Sequence, residues 1–264
     1  MKKLLFTLAI GLATLTSCES DLVSAPPSDS VGGAAYDGVL LKKDIISNAD
    51  GTVNNTSEYT YDGNKIIKIV NVSEFGTETT IYAYTDNLLT RIDDEHVNPS
   101  GAISSEVNLI EYDSNDRVIK ETVTYEVGAP SVDTYLYNAD GTVTYTEGVG
   151  SGNEGVSVFT LLSGNLVSTV STAPWGDYNY TYTYDEKNNP FRNIHQARVF
   201  ALIGNLSTPN NVLTKTQTSG SDMGGNDEVN THAYNPEGYP IASTEVYAPG
   251  TVYAETTTTE YFYE

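Results

Sequence analysis

The sequence predicts an all-β protein: an antiparallel β-hairpin meander of roughly 14–16 strands, curled into an open barrel or rolled sheet, with one short helix near residues 190–203. Three observations lead there. Stretches such as Tyr178-Asn179-Tyr180-Thr181-Tyr182-Thr183-Tyr184 alternate a ring with a small polar residue, and a period of two puts all four rings on one face of a strand. Turn-forming sequences recur between such stretches, among them Asp62-Gly63, Ala139-Asp140-Gly141 and Ser163-Gly164. They supply the positive-φ residues that tight hairpins need. Finally, 20 of the 264 residues are tyrosine and the 39% hydrophobic content already counts them, so a core has to be built partly from phenol rings.

Internal repetition organises the chain. An aromatic-x-aromatic stretch, a polar turn and an aliphatic run follow one another from Tyr59 (YTYDGNKIIKI), Tyr82 (YAYTDNLLTRI), Ile110 (IEYDSNDRVIK), Tyr135 (YLYNADGTVTY), Tyr182 (YTYDEKNNPF) and His232 (HAYNPEGYPIA). The tyrosines before the turns, Tyr61, Tyr84, Tyr112, Tyr137, Tyr184 and Tyr234, are the expected core anchors. The long gap between Tyr137 and Tyr184 holds a degenerate unit, FTLLSGNLVS from Phe159, with Leu162 in the tyrosine position. The hexapeptide Asn48 to Val53 (NADGTV) also returns letter for letter at Asn138 to Val143.

With two strands to a unit, about eight units make a sheet too wide to stay flat, because twisted sheets beyond about ten strands curl, close or split. Tyr, Ile and Leu are expected on the inner face and Thr, Asp and Glu outside. The period breaks between Asp185 and Asn211. There Pro190 suits a helix start, Phe191, Ile194, Val199, Leu202 and Ile203 supply an apolar face, and Gly204 is a stop. This segment is expected to plug one end of the rolled sheet.

The N-terminus reads as an export signal. Met1-Lys2-Lys3 precedes an apolar run from Leu4 to Leu15, too short to span a bilayer, and Leu15-Thr16-Ser17-Cys18 resembles a bacterial lipobox. Residues 1–17 are then a signal peptide, Cys18 is the lipid-attachment site, residues 18–36 are a flexible spacer rich in Ser, Gly, Pro and acid, and 37–264 form a single repeat domain. Anchoring follows from acylation, since stable attachment takes more than one chain. Thirteen basic against 35 acidic residues, a net charge of −22, argue against nucleic acid as a partner. One cysteine rules out a disulfide scaffold.

The aromatic-x-Tyr-Asp-x-x-Gly/Asn pattern, with YTYDGNKI from Tyr59, KNNPF from Lys187 and YNPEGYP from Tyr234, resembles tyrosine-aspartate (YD, Rhs-like) repeats. From Cys18 onward the chain looks like an uncharacterised family of repeat lipoproteins of Bacteroidota. The resemblance implies an outer-membrane lipoprotein, and Glu19 and Asp21 are similar to the surface-export signal of that phylum. It brings no catalytic residues, and the chain is far too short to enclose a toxin as large Rhs proteins do.

Several constellations invite chemistry. Gly150-Ser151-Gly152-Asn153-Glu154-Gly155 has the letters of a dinucleotide fingerprint, but Val156 to Leu161 reads as a strand where that motif needs a helix, so a hairpin loop is expected. Asp93, Asp94 and Glu95 with His96 are weak metal candidates in what reads as a short loop, and Asp222 to Glu228 forms a second acidic loop. His96, His195 and His232 stand apart, no serine occupies a nucleophile elbow, and the cysteine is committed to lipid, so no hydrolytic triad and no cofactor is expected. Trp175, just before Tyr178 and Tyr180, could form an aromatic platform for a sugar ring or an apolar peptide, or fold back to cap the roll.

Together these features point to a lipid-anchored module of the outer membrane or cell surface, non-catalytic, with an extracellular glycan or protein as ligand. Two rivals make distinct demands. A periplasmic carrier holding a lipid or lipoprotein chain needs a continuous apolar cavity; a carbohydrate-active enzyme needs two carboxylates facing each other across a cleft.

Overall fold

The computed structural model describes residues 38–174, 176–203, 208–220 and 225–264. Cys18, Trp175, Gly204 and part of the 222–228 loop lie outside them. Sixteen strands follow in chain order: β1 (Leu41–Asn48), β2 (Val53–Asp62), β3 (Lys65–Ser73), β4 (Gly76–Thr85), β5 (Leu88–Val97), β6 (Ile103–Tyr112), β7 (Val118–Tyr125) and β8 (Ser131–Tyr137), then β9 (Val143–Glu147), β10 (Gly155–Leu162), β11 (Asn165–Ala173), β12 (Gly176–Tyr184), β13 (Val212–Ser219), β14 (Glu228–Tyr234), β15 (Pro240–Tyr247) and β16 (Glu255–Tyr263). Among the described residues one helix, α1 (Ala197–Ile203), stands between β12 and β13. Each strand pairs antiparallel with its sequence neighbours, and β16 pairs with β1 from Leu41↔Tyr263 to Asn48↔Thr257. The expected meander is therefore a closed barrel and not an open roll. Closure pairs the two edges that an open sheet would present to other chains.

Hairpins alternate between the two ends. The tyrosine-anchored turns, together with the start of β1 and the end of β16, lie at one end, here called the plug end; the other end is the mouth. The repeat has a structural meaning at the plug end. In six of these hairpins the register slips by one residue just before the anchor position, at Thr60/Tyr61, Ala83/Tyr84, Glu111/Tyr112, Thr160/Leu161, Thr183/Tyr184 and Ala233/Tyr234. Such bulges increase local twist and re-aim the side chain that follows.

The ladder between β3 and β4 reaches only Lys68↔Ile81, so the carbonyl of Ile66 has no strand partner on that side. The Tyr84 hydroxyl donates to it at 2.9 Å. The same bond joins Tyr61 to Leu41, Tyr112 to Leu89, Tyr184 to Leu166 and Tyr263 to Pro240, each at 2.7 Å. Buried backbone acceptors need partners, and at these five positions a phenol supplies one while its ring packs into the core. Cations cover three of the anchors: Lys42 over Tyr61, Lys65 over Tyr84 and Arg117 over Tyr137, at 5.1, 5.2 and 4.4 Å from the ring centroids.

Leu161, not Leu162, occupies the anchor position of the degenerate unit. It pairs with Leu166 as Tyr61 does with Ile66, whereas Leu162 corresponds to Asp62 and is 66% exposed. The hexapeptide NADGTV does not mark repeat phase either. Its first copy joins β1 to β2 at the mouth, and its second joins β8 to β9 at the plug end. Both close the same turn, with Gly51 N donating to Asn48 O and Gly141 N to Asn138 O.

The plug is the interrupting segment. Phe191 packs edge-on against Tyr59 at 5.3 Å, and Phe200 against Tyr82 at 5.4 Å. Leu41, Ile66, Leu89, Val118 and Val143 are fully buried with Phe200. The helix begins later than the sequence suggests, because residues 190–196 direct their polar groups to the hairpin rim. His195 N donates to Asn64 O, the Asn193 amide donates to Val39 O and to the Tyr239 hydroxyl, and Gln196 accepts from Leu89 N. Gln196 also has a φ of 55°, which no α-helix interior accommodates.

Candidate binding lumen

The lumen changes character along its axis. Inward positions near the turns of the plug end are Tyr, Leu, Ile and Val; one or two pairs further toward the mouth they are polar. Register places Asp44, Asp94, Glu106, Glu121, Asp133, Glu228 and Glu245 on the inner face, with Lys215 as the basic residue that the described strands turn inward. Acids were expected outside. Their inward placement follows from the bulges, which reset the face of every residue after them: Val118 and Glu121 both point inward although three residues apart.

Two like-charged pairs stand directly opposite each other on this wall, Asp94↔Glu106 and Glu121↔Asp133, an arrangement that costs stability when both members ionise. Burial raises the Asp94 and Glu106 carboxyls above the ordinary range. Glu121 goes further, to about 7, through burial first and the charge of Asp133 second; the hydrogen bond from Tyr135 works against the shift. Tyr135 donates to Glu121 at 3.3 Å, and Asp133 accepts from the Tyr145 hydroxyl at 2.9 Å and from Gly148 N at 2.8 Å. Both carboxylates are more than nine-tenths buried. Asp44 is buried too, bonded to Tyr59 at 2.7 Å, and burial raises its carboxyl.

The segment Asp93 to His96 is not a loop. It lies within β5, where alternation sends Asp94 and His96 into the lumen and Asp93 and Glu95 to the outside. Asp93 is held by Arg91 at 2.5 Å, and Asp94 accepts from Thr80 at 2.5 Å. Among the described residues no group of three His, Cys, Asp or Glu side chains is placed to hold a metal ion. Asp94 and His96 instead line a cleft of about 490 Å³ at the mouth, with Glu78, Ser104, Glu106 and Tyr125. The 150–155 segment is the β9–β10 loop, whose Glu154 accepts from Gly150 N at 3.0 Å, and it leads into strand β10.

Tyr178 and Tyr180 are half-buried on the lumen face, Tyr180 beneath Lys215 at 5.2 Å from its ring centroid. Tyr137 and Tyr234 also point inward, and Tyr234 donates to Asp185. Lys215 pairs with Glu228 at 2.6 Å; burial lowers its pKa, but the hydrogen bond and charge of Glu228 together with Tyr182 and Tyr180 leave it raised. A second cavity, of about 290 Å³, lies between α1 and the wall formed by β10 to β13. Sequence reading found the rings but not Lys215, Glu121 or Asp133. Their inward direction follows only from bulge positions, which the letters do not mark.

The outer face is dominated by Thr and Val but carries charge on β1–β3 and β5–β7. Lys43, Glu58, Lys68, Arg91, Asp93, Glu95, Glu111 and Lys120 all point outward. Three ion pairs join them: Lys43–Glu58 at 4.0 Å, Arg91–Asp93 at 2.5 Å and Lys120–Glu111 at 2.7 Å.

No family model and no curated protein matches the chain. Among solved structures it is similar to a porin-like protein from Bacteroides uniformis ATCC 8492, 13% identical with a TM-score of 0.49, over 85% of this chain and 98% of that one. A porin-like protein from Bacteroides vulgatus ATCC 8482 is 10% identical with a TM-score of 0.38, over 86% and 99% of the two chains.

Proposed function

We propose that the protein is a non-catalytic binding module of the outer membrane, held by lipid at Cys18, whose barrel stands in water with its mouth directed away from the bilayer toward an extracellular glycan or protein. The observation that carries this reading is the charge on the outer wall. A lipid-embedded barrel needs an apolar outward band about 25 Å tall, and a Lys or Arg at the bilayer midplane costs about 2–4 kcal/mol. Here eight charged residues face outward on six of the first seven strands, β4 excepted, while tyrosine, leucine and a plug pack the plug end. What supports this orientation is Val39, which sits at the plug end beside Asn193. A chain arriving from Cys18 enters there, opposite the mouth.

The carrier reading is disfavoured because the plug and the rings break up the apolar half of the lumen, leaving a pocket of about 290 Å³ and not the continuous apolar cavity that a lipid or lipoprotein chain needs. The enzyme reading is disfavoured because Glu121 and Asp133 are sealed side by side on one wall. Protease shaving of intact cells tests the placement. Wild-type protein is expected to be lost, and the Cys18→Ala variant to survive. Survival of both would place the barrel on the periplasmic side.

A further inference from the structure

The plug does not fill its end of the barrel evenly. On one side Phe191, His195 and Phe200 meet the rings of Tyr59, Tyr84 and Tyr82 at 5.3 to 6.0 Å. On the other side Ala201 and Leu202 of α1 leave a cavity of about 290 Å³ against β10 to β13, close to the lower limit of roughly 300 Å³ for small-molecule pockets. The lining is sorted along the barrel axis. Leu161 and Leu166, beside the hairpin turn, join Leu202 to make an apolar floor. Thr169, Ser171, Tyr180 and Tyr182 line the part nearer the mouth with hydroxyl groups and aromatic faces.

The charge at the rim restricts what enters. Lys215 borders the cavity, but its ammonium is already committed to Glu228 at 2.6 Å. An anionic head would meet Glu228 and the acidic wall beyond it; a cationic head would meet the ammonium of Lys215. Hydroxyl groups suit such a rim, because they can donate to and accept from the Ser, Thr and Tyr side chains without displacing the ion pair.

We propose that this cavity binds a small uncharged amphiphile, with its alkyl or acyl tail against α1 and the leucine floor and its hydroxyl-bearing head among Thr169, Ser171 and Tyr180. The site is independent of the side of the membrane on which the barrel stands, so its test and the shaving experiment fail separately.

The test uses full-length protein in outer-membrane fragments and octyl glucoside carrying a photoreactive diazirine on its tail. Mass spectrometry of the digest is expected to place the label on residues 159–171, 180–182 and 197–203. Unlabelled octyl glucoside should reduce labelling at least tenfold, whereas octanoate and octylammonium should not. Ala201→Phe fills the cavity and is expected to lower labelling about tenfold, with folding verified by protease resistance. Label confined to outward-facing residues overturns the proposal. So does equal competition by octanoate, or undiminished labelling of a folded Ala201→Phe barrel. Mapping and competition in the wild type decide the matter even if that variant does not fold.

Discussion

The two ends of this barrel solve the same problem, an interior too wide for one layer of aliphatic side chains, in different ways. At the plug end Tyr61, Tyr84, Tyr112 and Tyr184 each contribute a ring and a hydrogen bond to a backbone carbonyl of a neighbouring strand, aliphatic residues follow the turns, and the interrupting segment packs into the centre. At the mouth the same strands present carboxylates and hydroxyls around a cleft of about 490 Å³. Apolar packing is thus concentrated at the end where β1 begins and β16 ends, and the mouth is left polar. The acidic wall adds a tension of its own, because its like-charged pairs favour the folded state only while some of them stay protonated.

Truncation should separate the two ends most sharply. Phe200→Ala is expected to cost about 3–5 kcal/mol in a denaturant titration, since Phe200 is fully buried against Tyr82. Tyr125→Ala at the exposed mouth should change stability by no more than about 0.5 kcal/mol. Comparable losses at both sites would remove the distinction.

A smaller effect concerns pH. The Glu121 carboxyl titrates at about 7 in the folded protein against an ordinary 4.5. A raised value means that the folded state holds the proton more tightly than the unfolded chain. The resulting stability is complete below about pH 4.5 and disappears as pH rises through 7. Glu121→Gln should therefore be more stable than wild type by roughly 2–3 kcal/mol at pH 8 and nearly equal to it at pH 4. A pH-independent difference would contradict that assignment. Smallest of the three, Tyr84→Phe should cost about 1 kcal/mol by leaving the Ile66 carbonyl without its phenol donor; a neutral substitution would mean that water replaces the bond.

What could be read from the letters was whatever depends on period two and on turn chemistry. The inward rings of Tyr178 to Tyr184, the hairpins and the plug all follow from local pattern. What could not be read depends on phase. NADGTV makes one turn at both ends of the barrel, because a hairpin turn is specified locally while its end is set by the number of strands before it. The shift from Leu162 to Leu161 and the inward aim of Glu121 arise from single-residue bulges. Closure depends on β1 meeting β16 across the whole chain, a contact that no local sequence window contains. The Asp93 to His96 run looked like a loop because its acidity masks a strand whose outward and inward residues are both charged.

Solvent access around the outer wall offers the most direct test of a barrel that stands clear of the bilayer. Single cysteines at Thr60, Ile81, Leu136, Val170 and Thr231, all outward-facing and exposed, would be treated with a membrane-impermeant maleimide in outer-membrane fragments open on both sides. Reaction at all five, with none at the buried, inward Ile69→Cys, is the expected result. A continuous belt of outward positions that reacts only with lipid-soluble reagent would contradict it and put the barrel wall in the membrane.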